Sequence, residues 1–374
     1  PSMAQAAKAD GDLAISMKSG GYYSARTKGA KDVIDNATPL VLQALGDMAI
    51  PDDAGRPFAI ADFGCADGGT SLEMMGKAVG AVRQRAPHRP ITVTYADLPG
   101  NDFSQVFRNA QGVGGAGDDL TGYDRLYIFG SGTSFYRQVM PSGTLNFGFS
   151  ATAMHWSSRL AGTISNHLHA VGAQGAERDA FTAVGMKDWE TILLNRAREL
   201  ELGGRLVLVN FCIDEEGRYL GNTVGANMFD VFDELWAAFR DEGVITAAEY
   251  RNTNFPQYYK TVEEFCAPLR DSGGAVHAAG LRLEHVETRV VPCPYKAAYL
   301  ADRDANAFAP AYIGTLRSWS ETVFMNGLDP ARPLAERQAI VDRYYDRYEA
   351  LVRKVPDDHA MDYVHIYMIV SKAG

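Results

Sequence analysis

The sequence predicts an α/β protein in which a doubly wound sheet forms the core and a mostly helical insertion covers it. Up to about residue 215, short apolar runs alternate with helical patterns, as in sheets whose parallel strands are joined by helices. Over residues 216–360 helical patterns dominate, and residues 361–374 contain a strand that closes the core sheet. We therefore predict a core at 1–215, a substrate-binding cap at 216–360 and a closing strand at 361–374.

The first core elements follow one another as helix, strand, glycine turn, helix and strand. Apolar side chains recur at helical spacing over 31–48. The apolar run 58–63 is typical of a buried parallel strand, and a glycine-rich turn leads from it into a helix over 71–84. A second, β-branched strand over 91–96 ends at Asp97, which completes one βαβ unit.

The later elements follow from the same patterns. Further strands are predicted at 126–129, 145–149 and 205–211, with a helix over 187–200. In the cap, helices are predicted at 227–240, 261–272 and 309–324, with a loop at 252–259. The alternation within 363–370 is typical of an edge or closing strand.

Composition excludes several classes of function. The net charge of -10 disfavours a nucleic-acid binder, which needs clustered basic side chains to neutralise phosphates. No run of 18 apolar residues is present, so no membrane span is expected. The four cysteines are dispersed and residues 1–12 lack an apolar signal segment, so we expect reduced thiols in a cytoplasmic protein. No metal site is predicted, and the spacing His167-x-His169 is interpreted as a surface feature.

The ends of two predicted strands carry residues that indicate a cofactor-binding site. Residues 62–70 read DFGCADGGT, and the spacing D-x-G-x-x-x-G-G fits a methyltransferase glycine loop better than a dinucleotide loop. Asp97 ends the next strand, where a carboxylate can accept hydrogen bonds from two ribose hydroxyls. The alternatives are a tight turn that only needs glycine and an acid that only caps a strand.

Four strings make the interpretation specific. Residues 17–25 read MKSGGYYSA, 96–104 read ADLPGNDFS, 133–136 read TSFY and 150–156 read SATAMHW. In this order they resemble the SABATH family, the plant-type salicylate, benzoate and theobromine methyltransferases. The resemblance covers most of the chain. It implies a Rossmann-like methyltransferase core, S-adenosylmethionine as cofactor, S-adenosylhomocysteine as product, a small-molecule acid as substrate and a homodimer.

The resemblance also implies site residues. Those expected to hold the cofactor are Lys18, Tyr23, Thr27, Asp62, Gly64, Thr70, Asp97, Leu98, Ser134, Phe135, Ser150 and Ala151. Those expected to line the substrate pocket are Tyr23, Thr152, His155, Trp156, Met228, Phe229, Tyr258, Leu316 and Trp319. No catalytic acid or base is required, because a carboxylate is already ionised near pH 7. His155 and Trp156 are expected to position it, the indole N–H of Trp156 donating to the carboxylate.

The chain also departs from the family pattern. Ala30 stands where the family has a Gln that clamps the substrate carboxylate. Thr152 and Ala151 replace a Tyr and the Ser before it. One carboxylate donor is therefore missing or comes from elsewhere in this chain, which bears on the substrate half of the site and not on the cofactor half.

The predicted reaction is direct in-line displacement that forms a methyl ester on a small, aromatic or related acid. Three alternatives stay open at this point. The first is methylation of a nitrogen or hydroxyl on a heterocycle or phenol. The second is an NAD-dependent oxidoreductase on the same βαβ unit, which the glycine spacing disfavours. The third is a protein that binds S-adenosylmethionine without catalysis.

Overall fold

A central sheet runs through the part of the chain that the computed structural model describes, residues 28–113 and 120–373. Its strands are Phe58–Phe63 (β1), Ile91–Ala96 (β2), Leu126–Ser131 (β3), Leu145–Ala151 (β4), Leu200–Ile213 (β5), Lys260–Thr261 (β6), Leu281–Val291 (β7) and Tyr363–Lys372 (β8). The spatial order is β3-β2-β1-β4-β5-β8-β7, and the short β6 pairs with β5 outside this path. Strands β1 to β5 pair in parallel, whereas β8 is antiparallel to both of its neighbours.

Helices cover both faces of this sheet. They are Lys28–Gly46 (α1), Leu72–Arg85 (α2), Phe103–Ala110 (α3), Gly175–Glu199 (α4), Met228–Asp241 (α5), Ala247–Asn252 (α6), Val262–Arg270 (α7), Ala275–Ala278 (α8), Pro294–Asp302 (α9), Ala305–Gly327 (α10) and Leu334–Lys354 (α11). One apolar cluster joins α1, α2 and the cap helices α5, α10 and α11 to one sheet face. The other face packs against α4 and α7. No described helix has the length and apolarity that a membrane crossing would need.

Burial on both faces explains why the inner strands show continuous apolar runs. Every residue of β1 is buried, and β1 lies between β2 and β4 with Asp62 opposite Tyr95 and Phe149. The carboxyl ends of β1, β2, β4 and β5 therefore meet at one edge of the sheet, where ligands of such folds bind. Because β8 runs the other way, its first residues lie at this same edge, with His365 opposite Phe211.

The fold class is as predicted, but the last two strands differ from the expectation. Strand β8 lies inside the sheet between β5 and β7, so the interpretation as an edge strand is wrong. Strand β7 falls within residues 216–360, so the predicted cap stretch supplies a sheet strand as well as helices. Pairing of β7 with β8 joins segments about 80 residues apart, and local periodicity cannot show such a contact.

Candidate active site

The turn after β1 is shaped by one glycine and one buried acid. Gly64 has a φ of +77°, and a Cβ added there would lie 2.4 Å from the Cβ of Ala153. Asp62 is buried and accepts a hydrogen bond from the Ser71 hydroxyl at 2.6 Å. Burial raises the pKa of Asp62 to about 7, and the nearby charge of Asp97 adds to this rise. The turn is thus an anionic cradle whose backbone can touch a ligand directly.

Asp97 closes the second side of this cradle. Its carboxylate accepts hydrogen bonds from the backbone N–H of Ala66 at 2.8 Å and of Leu98 at 2.7 Å. The Asn101 amide donates to the Ala66 carbonyl at 2.7 Å, which ties the strand end to the glycine turn. Burial raises the pKa of Asp97. Each carboxylate oxygen has a further lone pair, so the group can still accept from ligand hydroxyls.

The loop that carries Ser134 and Phe135 lies against the same turn. The Phe135 ring stands 3.7 Å from the position of a Gly64 Cβ. Arg196 of α4 is fully buried, donates to the Phe135 carbonyl at 2.7 Å and pairs with the buried Glu199. The Tyr136 hydroxyl donates to the carbonyl of Trp156, which connects this loop to the next segment of the site.

Of the other residues predicted to bind the cofactor, three lie in the turn after β1 or at the end of β4 and three lie outside the described part of the chain. Thr70 is buried in the turn between β1 and α2, and Ala151 is partly buried at the end of β4. Ser150 is fully buried and its hydroxyl donates to the Phe63 carbonyl at 2.8 Å, so this side chain holds the end of β1. Lys18, Tyr23 and Thr27 lie outside the described residues.

A pocket opens beside this cradle and encloses about 390 Å³ of empty space, including the part open to solvent. Four of the predicted substrate residues line it: Thr152, His155, Trp156 and Trp319. The other lining residues are Phe211, Leu220, Gln257, Tyr259, Met361 and Tyr363. An aromatic wall with few polar groups is typical of small-molecule sites.

Four other predicted pocket residues lie elsewhere, and Tyr23 is outside the described part. Tyr258 turns away from the pocket, and its hydroxyl is hydrogen-bonded to Thr182 and Glu264. Its two neighbours face the pocket instead, since side chains alternate along an extended segment. Met228, Phe229 and Leu316 are buried in the core behind the pocket. None of these four residues lines this pocket.

Several pocket-lining residues that the sequence did not predict are brought together by the order and direction of the strands. Phe211 lies near the end of β5, Tyr363 begins β8 and Met361 precedes it by two residues. These positions converge only because β8 runs antiparallel between β5 and β7. Alternation along residues 257–259 was the one local signal that could have indicated Gln257 and Tyr259.

The polar groups of the pocket are uncharged. Burial lowers the pKa of His155 well below its usual value and that of His365 to about 3. His365 Nε2 and Thr152 Oγ1 are hydrogen-bonded at 3.0 Å. The Nδ1 atoms of both histidines are buried without a partner among the described residues. The two histidines therefore offer neutral hydrogen-bonding groups, and the residues that line the pocket in the described part of the chain include no lysine or arginine.

The pair His167 and His169 is not a surface feature, contrary to the prediction. Both side chains are buried. His167 Nε2 lies 3.2 Å from a carboxylate oxygen of Asp230, and His169 stacks on Phe229 with ring centroids 4.0 Å apart. Their partners come from segments 60 or more residues away, so the spacing of the two histidines gave no sign of burial.

Known proteins resemble this chain along nearly its whole length. A sequence profile described as SAM dependent carboxyl methyltransferase matches residues 14–373. Gibberellic acid methyltransferase 1 of Arabidopsis thaliana is 27% identical over 264 residues, 63% of this chain and 67% of that protein. Salicylate carboxymethyltransferase of Clarkia breweri is 26% identical over 269 residues, 69% and 70% of the two chains. A solved structure of loganic acid methyltransferase with SAH has the same fold, with a TM-score of 0.75, 21% identity and coverage of 96% of this chain and 99% of that one.

The fold and the cradle define a methyltransferase that uses S-adenosylmethionine. The chain belongs to the SAM-dependent carboxyl methyltransferase family, the SABATH family that its four strings indicated. The predicted cofactor and enzyme class are thus confirmed, and the NAD-dependent alternative is set aside. The cradle fits this cofactor, because the buried Asp62 and the half-buried Asp97 lie at a turn whose glycine leaves room for a cationic ligand.

Proposed function

We propose that this enzyme forms a methyl ester on the carboxylate of a small acid, aromatic or related. The observation that carries the proposal is the segment 152–156, which serves both halves of the site. The Cβ of Ala153 packs on the position of a Gly64 Cβ, while Thr152, His155 and Trp156 line the adjoining pocket. Relatives named for gibberellic acid and salicylate support an acid as the methyl acceptor.

The chemistry asks little of the protein beyond positioning. When bound, S-adenosylmethionine supplies a methyl group on a sulfonium, which is already an activated leaving group. A carboxylate is ionised near pH 7, so its oxygen can displace that sulfonium without a general base. The neutral state of His155 and His365 is consistent with a reaction that needs no general base. The protein then orients the acid and excludes water, and such orientation can be worth roughly 7 kcal/mol of barrier.

The cradle residues would hold the cofactor in complementary ways. Asp62 and the Gly64 turn would bind the methionine end, where an ammonium meets a buried carboxylate. Asp97 would accept from the ribose hydroxyls. The Phe135 ring, fixed through Arg196, would cover the adenine.

A methyl-transfer screen with salicylate, gibberellic acid and loganic acid tests the proposal. Salicylamide and phenol serve as matched acceptors without a carboxylate. We expect a methyl ester from at least one acid and no transfer to the amide or the phenol. Transfer only to the amide or phenol would favour nitrogen or hydroxyl methylation. Binding of S-adenosylhomocysteine without any transfer would favour a non-catalytic binding protein.

The variant Trp156→Phe tests the site itself, because it keeps an aromatic ring and removes the indole N–H. We expect kcat/KM for the best acid to fall roughly tenfold or more, as for a lost hydrogen bond to a charged group. The increase in melting temperature on adding S-adenosylhomocysteine should be unchanged, which shows an intact cofactor half. An unaltered kcat/KM would count against the carboxylate position beside Trp156.

The resemblance further suggests a homodimer in the cytoplasm. The described cysteines are free and buried, which is compatible with a reducing compartment. Light scattering during size-exclusion chromatography would test the dimer, with twice the chain mass as the expected result.

A further inference from the structure

Gln257 stands directly opposite Trp156 at the pocket wall. The two residues form an isolated antiparallel β-bridge. Backbone hydrogen bonds on either side fix this pairing, from Ser157 N–H to the Pro256 carbonyl at 2.8 Å and from Tyr258 N–H to the His155 carbonyl at 3.0 Å. Both side chains line the pocket, although only 1% of Gln257 is exposed. A buried amide at this position needs partners for both of its ends.

The oxygen end of the Gln257 amide is already occupied. Its Oε1 lies 3.3 Å from His169 Nε2 and accepts from the Tyr259 hydroxyl at 3.2 Å. The tautomer of His169 is determined by its other nitrogen, because Nδ1 accepts the Val171 N–H at 3.1 Å. Burial lowers the pKa of His169 well below its usual value, so the ring is neutral and its single proton is on Nε2. Two donors thus converge on one oxygen.

This arrangement settles which end of the amide is free. Within residues 28–113 and 120–373, the Gln257 Nε2 group has no hydrogen-bond partner. The indole Nε1 of Trp156 likewise has none in the described part. Indole N–H is a donor only, and an amide whose oxygen is satisfied acts as a donor only as well. The pocket wall therefore presents two neutral donors from two paired residues.

We propose that Gln257 Nε2 and Trp156 Nε1 together bind the substrate carboxylate, so that Gln257 selects acids over their neutral analogues. This inference rests on the proposed function. Two donors on directly paired residues match the two oxygens of a carboxylate, whereas a primary amide would place its own NH₂ against a donor. Gln257 thus supplies from the segment before β6 the donor that Ala30, buried in α1, cannot supply.

The chain around Gln257 then forms a relay that orients the donor. Val171 N–H fixes His169, and His169 fixes the amide oxygen, which leaves the NH₂ end of the amide available to a ligand. Phe229 stacks on His169 and holds its ring. Phe229 is thereby a positioning residue for the carboxylate site, although it does not line the pocket.

The substitution Gln257→Glu tests the inference, because it keeps the shape and replaces the donor with an acceptor. Dissociation constants would be measured calorimetrically, with saturating S-adenosylhomocysteine, for salicylate, gibberellic acid, loganic acid and the primary amide of the tightest binder. We expect the affinity for the acid to fall at least tenfold and that for the amide to change less than threefold. The exposed Gln43→Glu makes the same chemical change and should alter neither value.

Gln257→Met provides a second variant of similar size without an added charge, and we expect at least fivefold weaker binding of the acid. The increase in melting temperature with S-adenosylhomocysteine reports whether each variant is folded. If a folded variant binds the acid within threefold of the wild-type dissociation constant, the role of Gln257 is refuted while the proposed function still stands. If the wild type binds none of the three acids, the proposed function fails and the carboxylate clamp fails with it.

Discussion

Replacing Gly64 by alanine tests the cradle that the cofactor half depends on. The φ of +77° is in the left-handed region, where a Cβ crowds the following carbonyl. The new Cβ would also lie 2.4 Å from the Cβ of Ala153, a distance at which one of the two segments must move. Since Ala153 sits between Thr152 and His155, the movement would reach the pocket as well as the turn.

The size of the effect can be worked from these two contributions. Left-handed backbone costs an alanine about 1 to 2 kcal/mol. Overpacking against a fixed neighbour adds about 1 to 3 kcal/mol, for a sum of about 2 to 5 kcal/mol. Unfolding entropy of about 2.1 cal/mol/K per residue over 374 residues converts this sum to a melting temperature roughly 3 to 6 °C lower.

Gly203→Ala is the matched control, because Gly203 has a φ of +80° and no neighbouring atom within 4 Å of its added Cβ. It should lower the melting temperature by only about 1 to 3 °C. Scanning calorimetry with and without S-adenosylhomocysteine separates the two effects. We expect Gly203→Ala to keep the ligand-induced stabilisation and Gly64→Ala to lose most of it. Equal losses in both variants, or full stabilisation of Gly64→Ala by the ligand, would refute the reasoning.

Three further substitutions probe buried charges. Burial raises the pKa of Asp62 to about 7, so between pH 4 and 7 the ligand-free protein should lose up to about 4 kcal/mol of stability relative to Asp62→Asn. Asp62→Asn should also abolish binding of S-adenosylhomocysteine. Burial lowers the pKa of Lys260 to about 8, so the contribution of this residue to the free energy of unfolding should rise between pH 8 and 10.5. For the same reason, Lys260→Met should stabilise the protein by about 1 to 3 kcal/mol at pH 7. Arg196→Met leaves Glu199 buried and unpaired, and should cost about 3 to 5 kcal/mol and weaken binding of S-adenosylhomocysteine through the Phe135 loop.

Thermal melts across pH, with and without S-adenosylhomocysteine, check all three. A wild-type stability that does not fall relative to that of Asp62→Asn from pH 4 to 7 would contradict the buried state of Asp62. A destabilised Lys260→Met would mean that the contacts of its ammonium with the Tyr258 and Phe265 rings, each 5.5 Å from the ring centroid, outweigh its desolvation. If Arg196→Met binds S-adenosylhomocysteine as tightly as the wild type, the Phe135 loop is not part of the cofactor site.

Local sequence patterns were reliable where burial is uniform. Strands β1 and β2 have the predicted bounds, because both faces are covered and each residue must be apolar or hydrogen-bonded in place. Helix α5 begins after Asn227, whose side chain accepts the Phe229 N–H. Helix α7 begins after Thr261, which forms a capping box with Glu264 in the first turn. These signals are carried by neighbouring residues and need no distant partner.

Local sequence patterns were insufficient where contacts with a distant segment determine the secondary structure or the direction of a side chain. Strand β7 includes Arg282, Glu284, Glu287 and Arg289 and is only half-buried, so its sequence lacks the apolar run of an inner strand. Tyr258 and Tyr259 are chemically alike, and only the bridge between Gln257 and Trp156 decides which of the two faces the pocket. Asp62 and Asp97 could be proposed from local patterns because they lie at the ends of consecutive strands, whereas the pocket residues come from distant segments.

Thr152 shows how the two halves of the site are held together at the end of β4. It is β-branched, yet its φ is 56°, a conformation that costs about 1 to 2 kcal/mol. Two contacts hold it there: its N–H donates to the Val209 carbonyl at 2.9 Å, and its hydroxyl is hydrogen-bonded to His365 at 3.0 Å. The reversal places Ala153 against the Gly64 turn and returns Trp156 to the pocket wall. We therefore expect this reversal to help set the distance between methyl donor and acceptor, the quantity to which a displacement reaction is most sensitive.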